Sequence, residues 1–187
     1  MEQVSDKKQN DIWNKFLKYL KNNFSKKNNL WRLFGFAIAL VVVLVPSLTC
    51  NLMIRNGDWQ WPHNIAYNDG IAFSALVGKT ALIYFLQAFI CFIVLLATLF
   101  TDKWYHSLLL SLALVGGLFN LIDRATQPSP HLNTVIDYLP TGNTTSNFPD
   151  VFILTGVIGF SVLYVIITIY GLTKRKNKQD KNDKNKS

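Results

Sequence analysis

Four apolar runs limit what this chain can fold into: Leu33 to Leu52, Thr80 to Phe100, Trp104 to Ile122 and Val151 to Leu172. Each is close to the roughly 20 helical residues that cross a hydrocarbon core of about 30 Å. A helix satisfies its own backbone polar groups, which a bilayer demands of any open segment inside it. The stretches FGFAIALVVVLV, FICFIVLLATLF and VIGFSVLYVIITIY are apolar around the whole circumference, where a water-soluble helix carries a single stripe. The sequence therefore predicts an all-α membrane protein with four transmembrane helices. Its organisation reads as a basic tail over 1–32, a four-span domain over 33–172 with spans at about 33–52, 80–100, 104–122 and 151–172, and a basic, disordered tail over 173–187.

Charge sets the expected orientation. The chain is 50% hydrophobic yet has a net charge of +8. Lys7, Lys8, Lys15, Lys18, Lys21, Lys26, Lys27 and Arg32 precede the first span, and Lys174, Arg175, Lys176, Lys178, Lys181, Lys184 and Lys186 follow the last. Four spans put both tails on one side, and an excess of Lys and Arg assigns that side to the cytoplasm. The short turn TDKWYH is then cytoplasmic too, and the two longer connections, Met53 to Lys79 and Asp123 to Asp150, face outward and form a small extracytoplasmic cap. Trp31, Trp59, Trp61, Trp104 and Tyr170 fall near span ends, where amphipathic rings settle. Basic tails of this kind signal topology and attract lipid headgroups, so membrane lipids are expected partners and nucleic acid is not.

Several motifs carry no chemistry. A basic stretch followed by an apolar run ending in PSLTC imitates a lipoprotein signal with Cys50 as acceptor, but Thr49 precedes the Cys, the basic region is long and three more spans follow. Cys50 and Cys91 sit in apolar segments without CxxC or Cys/His spacing and read as buried small hydrophobes. His63, His106 and His131 are scattered, so no zinc site, metal or cofactor is expected. The NTT at Asn143 is a glycosylation sequon by pattern alone.

The polar residues at the span ends are more informative. Asp123 closes the third span and Asp150 opens the fourth. A chain that leaves the membrane at one and re-enters at the other sets both at the same depth, flanked by Asn120 and Asn147. A carboxylate in a bilayer costs about 2.5 kcal/mol or more, which makes such acids candidates for function. Two carboxylates sharing a proton can run peptide hydrolysis, one taking a proton from water while the other hydrogen-bonds the scissile carbonyl. Helix ends suggest the roles: Asp150, beside free N–H groups, is the base, and Asp123, beside free carbonyls, is the acid. No Ser/His/Asp or Cys/His set competes, and no GxGD motif occurs.

Four motifs taken together, YNDGIAFS from Tyr67, NLIDR from Asn120, VIDY from Val135 and NFPD from Asn147, resemble those of the bacterial lipoprotein signal peptidases. There the patterns run N-x-G-x-A-F, G-N-x-x-D-R, V-V-D-F and F-N-x-A-D, in this order around four spans. The resemblance extends over Tyr67 to Gly171. It implies an aspartic endopeptidase without metal that cleaves diacylglyceryl-modified prolipoproteins just before the lipidated Cys, in a bacterial cell membrane, with its site near the outer face. Carried over by motif, the catalytic pair is Asp123 and Asp150. Asn68, Gly70, Asn120, Arg124, Asp137 and Asn147 bind substrate or support the site. The chain departs from the pattern in three places. No residue from Leu33 to Leu52 is charged, where the family carries an acid and a Lys. Phe119 replaces a Gly and is accommodated by facing lipid. Pro149 replaces an Ala and suits a helix's first turn. The competing readings are an inactive relative and a non-enzymatic four-span protein, such as a channel or transporter accessory subunit with Asp123 and Asp150 lining a pore.

Overall fold

The computed structural model describes residues 2–59, 65–71, 75–142 and 144–184. Trp61, His63, the 72–74 end of the YNDGIAFS motif, the Asn143 sequon and Lys186 lie outside the described residues. The elements in chain order are α1 (Glu2–Asn23), α2 (Lys26–Arg55), β1 (Ala66–Asn68), α3 (Thr80–Leu99), α4 (Trp104–Thr126), β2 (Val135–Asp137), β3 (Leu139–Thr141), β4 (Thr144–Ser146) and α5 (Phe148–Lys184). Helices α2, α3, α4 and α5 are long and apolar enough to cross a membrane.

Several helix boundaries reach beyond the expected spans. The first span extends one turn past Leu52, to Arg55, which brings a cation next to a stretch, 33–52, that carries none. The last helix continues to Lys184, where a disordered tail was expected from 173. Lys, Arg and Gln are strong helix formers, and a stretch growing from an existing helix avoids the cost of nucleation.

Helix α4 is the centre of the bundle and packs against α5, α2 and α3. Ala39 and Val43 of α2 meet Val115 of α4 in a core that Phe36, Leu112 and Phe152 close. Small residues permit the closest approach, as is usual where helices pack within lipid. A methyl group at Gly116 would lie 2.7 Å from the Pro149 carbonyl oxygen and 2.9 Å from Ile153. The outward faces of the other spans stay apolar and exposed, with Phe85, Phe89, Ile158 and Ile166 among them. In water such a surface would drive association. Phe119, by contrast, is buried rather than lipid-facing.

The two long connections are tied together at one end of the bundle. β1 from the first pairs antiparallel with β2 from the second, in the register Ala66 to Asp137, Tyr67 to Ile136 and Asn68 to Val135. β3 and β4 form a hairpin turning at Gly142, whose φ of 68° favours glycine. Ile136 and Tyr138, both about fully buried, pack with Ile54 of α2 beneath these strands. Of the two sequence-expected buried cysteines, Cys91 is buried and Cys50 only partly so.

Candidate active site

The polar residues gather where α2 and α4 end, α5 begins and the β1–β2 ladder crosses them. Asn147 immediately precedes α5, and its side-chain Oδ1 accepts the backbone N–H of Asp150 at 2.9 Å. This is the contact of a helix N-cap with the third residue of the helix. The other end of the same amide is also used: Asn147 Nδ2 donates to Asp137 Oδ1 at 2.7 Å. One buried side chain thus joins two acids. Asp150 accepts further hydrogen bonds from Asn120 Nδ2 at 2.7 Å and Ser146 Oγ at 3.2 Å. Asp137, at the end of β2 and only 2% exposed, accepts a second one from Asn68 Nδ2 at 3.1 Å. Burial, and after it the charge of nearby Asp150, push the Asp137 carboxyl up to about 6, against the pull of Asn68, Asn147 and Arg124.

Asp123 has a different set of partners. Its Oδ1 accepts from Asn51 Nδ2 at 2.8 Å, Gln127 Nε2 at 2.9 Å and the Arg55 guanidinium at 3.0 Å. Its Oδ2 accepts the Ile136 backbone N–H at 3.1 Å. All four are donors, which suits a carboxylate acting only as an acceptor. Asp123 therefore ties α2, α4 and β2 together, and it holds the strand residue next to Asp137. Among the described residues it shares no hydrogen-bond partner with Asp150, so the pairing expected from the span ends is not the one hydrogen bonding joins.

Arg124 faces inward and is 4% exposed. Its NH1 donates to the carbonyls of Asn133 at 2.8 Å and Asn68 at 3.2 Å, and its NH2 to that of Gly70 at 2.7 Å. The planar fork spreads three backbone oxygens over two nitrogens, where a Lys would offer a single one. Gly70 N–H in turn donates to Asn68 Oδ1 at 2.9 Å, a turn in which the Asn side chain holds its own backbone. Arg124 and Gly70 so fix the Asn68 amide that reaches Asp137.

Sequence reasoning missed Asn51, Arg55, Gln127 and Ser146. Asn51 and Arg55 are four residues apart on α2, and residues at that spacing share a helix face; Gln127, four after Asp123, is the residue that follows the end of α4. The signal was there, but Arg55 fell outside the apolar window. Two of the histidines are engaged elsewhere: His106 packs against Phe160, and His131 stacks on Tyr67 with ring centroids 3.5 Å apart.

The model of the signal peptidase (SPase) II family matches residues 38–169, which hold every residue of this cluster. The chain belongs to the signal peptidase II family. It is 28% identical to a lipoprotein signal peptidase of Malacoplasma penetrans, over 91% of this chain and 80% of that one. It is 30% identical to one of Mycoplasma genitalium over 71% of this chain and 74% of the relative. The Mycoplasmoides gallisepticum lipoprotein signal peptidase is 30% identical over 81% of this chain, which spans 53% of that longer relative. A solved bacterial membrane enzyme shares the fold with a TM-score of 0.58 at 23% identity, covering 76% of this chain and 91% of its own. Membership in the signal peptidase II family does not favour the reading as a channel or accessory subunit.

Proposed function

We propose that the chain is a membrane-embedded aspartic endopeptidase that removes signal peptides from diacylglyceryl prolipoproteins, with Asp137 and Asp150 as its catalytic pair. The observation that carries the pair is Asn147, whose amide caps Asp150 and donates to Asp137. The charge of Asp150 helps raise the Asp137 carboxyl to about 6, and two like charges that near each other retain a proton. Asp137 then holds that proton and hydrogen-bonds the scissile carbonyl. Asp150, at the positive N-terminus of α5 and less buried than Asp137, takes a proton from the attacking water. The tetrahedral intermediate collapses as a proton passes to the leaving amine. Asp123 is reassigned from catalyst to brace, because Arg55, Asn51, Gln127 and Ile136 N–H already occupy its carboxylate.

The strong basic bias of both tails supports a cytoplasmic location for the two termini and, with it, a position of the cluster near the outer face of the cell membrane. There a lipid-anchored substrate presents its cleavage point at the membrane surface. Asn68, at the end of β1, reaches Asp137 through its side chain, which sets that strand beside the acids where an extended peptide would lie, and membrane lipid surrounds the spans. The test is cleavage of a purified diacylglyceryl prolipoprotein by the protein in detergent, followed by gel shift. The wild type gives mature-sized product, and Asp137→Asn and Asp150→Asn do not. Absence of product from the folded wild type would instead make this an inactive relative.

A further inference from the structure

The other end of the bundle carries a helix that lies outside the region matched by the family model. Along the C-terminal half of α1, Ile12, Trp13, Phe16, Leu17 and Leu20 recur at the spacing of one helix face. Ile12 and Trp13 are 60% and 58% exposed, Phe16 and Leu17 46% and 45%. At 100° per residue, Lys15, Lys18 and Lys21 fall on the opposite face. Lys26 and Lys27 add exposed charge just beyond it. Among the described residues, nothing covers the apolar face.

The root of α1 is held in place. Arg32, 7% exposed, donates from NH2 to the Asn23 carbonyl at 2.9 Å and Oδ1 at 3.0 Å, and from Nε to the Thr101 carbonyl at 3.1 Å. Asn23 Nδ2 donates to the Leu99 carbonyl at 3.1 Å. Asn28 Nδ2 reaches the carbonyls of Asn22 and Asn23, both at 3.2 Å, taking up acceptors that a helix end leaves free. Phe24 lies under the Arg32 guanidinium and edge-on to Phe100. Since α2 and α3 are spans, this joint anchors α1 at the level where they leave the hydrocarbon.

We propose that α1 is an interfacial helix that docks on anionic lipid, its Ile12, Trp13, Phe16 and Leu17 face entering the headgroup boundary while its lysines meet the negative surface. A helix of this pattern sinks about 5–10 Å into the boundary, and lysines are drawn to an anionic surface. The lipid source is the leaflet at that end of the bundle, because the joint ties the root of α1 to the ends of two spans.

The full chain tests this in lipid nanodiscs, in a Cys50→Ala, Cys91→Ala background, with a nitroxide attached through Leu17→Cys or Lys18→Cys. In phosphatidylglycerol, the label at 17 should favour oxygen over a water-soluble nickel chelate by about tenfold relative to the label at 18, as a site about 5–10 Å deep would. In phosphatidylcholine the contrast should shrink several-fold. Equal water access at 17 and 18 in phosphatidylglycerol overturns the proposal. So does equal depth in both lipids, which removes the role of charge, and so does dipolar coupling between labels at 17 of two chains, which makes a second copy the occupant.

Discussion

Arg55 of α2 holds the Asp123 carboxylate of α4 at 3.0 Å, so the acid that closes the third span answers to a cation on the first. Removing it should damage the fold more than the chemistry. Asp123→Ala leaves Arg55, Asn51, Gln127 and Ile136 N–H without their acceptor, and a buried donor left unsatisfied costs about 1–3 kcal/mol. The melting temperature should fall by several degrees, while turnover per folded molecule keeps a measurable fraction of the wild-type value. Asp137→Asn and Asp150→Asn should show the opposite pattern, losing roughly 10²–10⁴ in kcat with a smaller change in melting. Assays of cleavage and melting on the same preparations separate the two groups. An Asp123→Asn variant as dead as Asp137→Asn and as stable as wild type would return Asp123 to the catalytic pair.

Asp137 also sets a pH dependence. Its carboxyl binds a proton more tightly in the folded protein, at about 6 against an ordinary 3.8. Its contribution to stability is therefore fully present below about 3.8 and is lost as pH rises through about 6. That difference is worth on the order of 3 kcal/mol. The melting temperature should fall between pH 4 and pH 7 by more in the wild type than in Asp137→Asn, where this group cannot titrate. Cleavage needs the protonated partner, so kcat should decline on the alkaline side of the same range.

Arg124→Lys tests the backbone clamp. A Lys keeps the charge but reaches at most part of the set Asn68 O, Asn133 O and Gly70 O. Loosening β1 should raise KM, with kcat reduced less, by the order of tenfold in kcat/KM for about 1.4 kcal/mol lost. Steady-state cleavage across substrate concentrations gives the split.

Orientation can be checked directly. Single cysteines placed at Thr144 and Lys176 should label with membrane-impermeant maleimide from opposite sides of intact cells or oriented vesicles. Labelling from the same side would remove the proposed outward position of the acids.

The four spans were legible because apolar runs of that length have one solution in a bilayer. The cluster was legible as a set, since Asn68, Gly70, Asn120, Asp123, Arg124, Asp137, Asn147 and Asp150 all fall in one hydrogen-bonded region. The sequence did not show that Asn147 joins Asp150 to Asp137. Two acids at adjoining span ends sit at one depth, but depth says nothing of azimuth, and Asp137 reaches the site only through a strand pairing of three residues between distant connections. The β1–β2 register and the fork of Arg124 are products of tertiary contact, which no local pattern encodes. Helix α1 was also missed, because its charge drew the reading toward topology and away from the spacing of Ile12, Trp13, Phe16 and Leu17.

Gly116→Ala would add a methyl group against the Pro149 carbonyl oxygen, a backbone atom that cannot swing aside. Overpacking of this kind costs about 1–3 kcal/mol, and both melting temperature and cleavage should fall. Pro149 adjoins Asp150, and Gly116 lies one turn before Asn120, which donates to that acid at 2.7 Å. The missing side chain thus works as a keyway: it admits α5 against α4 at one height, and the acid's alignment is set by clearance between two consecutive helices. Alignment of this kind is mechanical, so a substitution that brings no charge and touches no substrate can still put the reacting groups out of true.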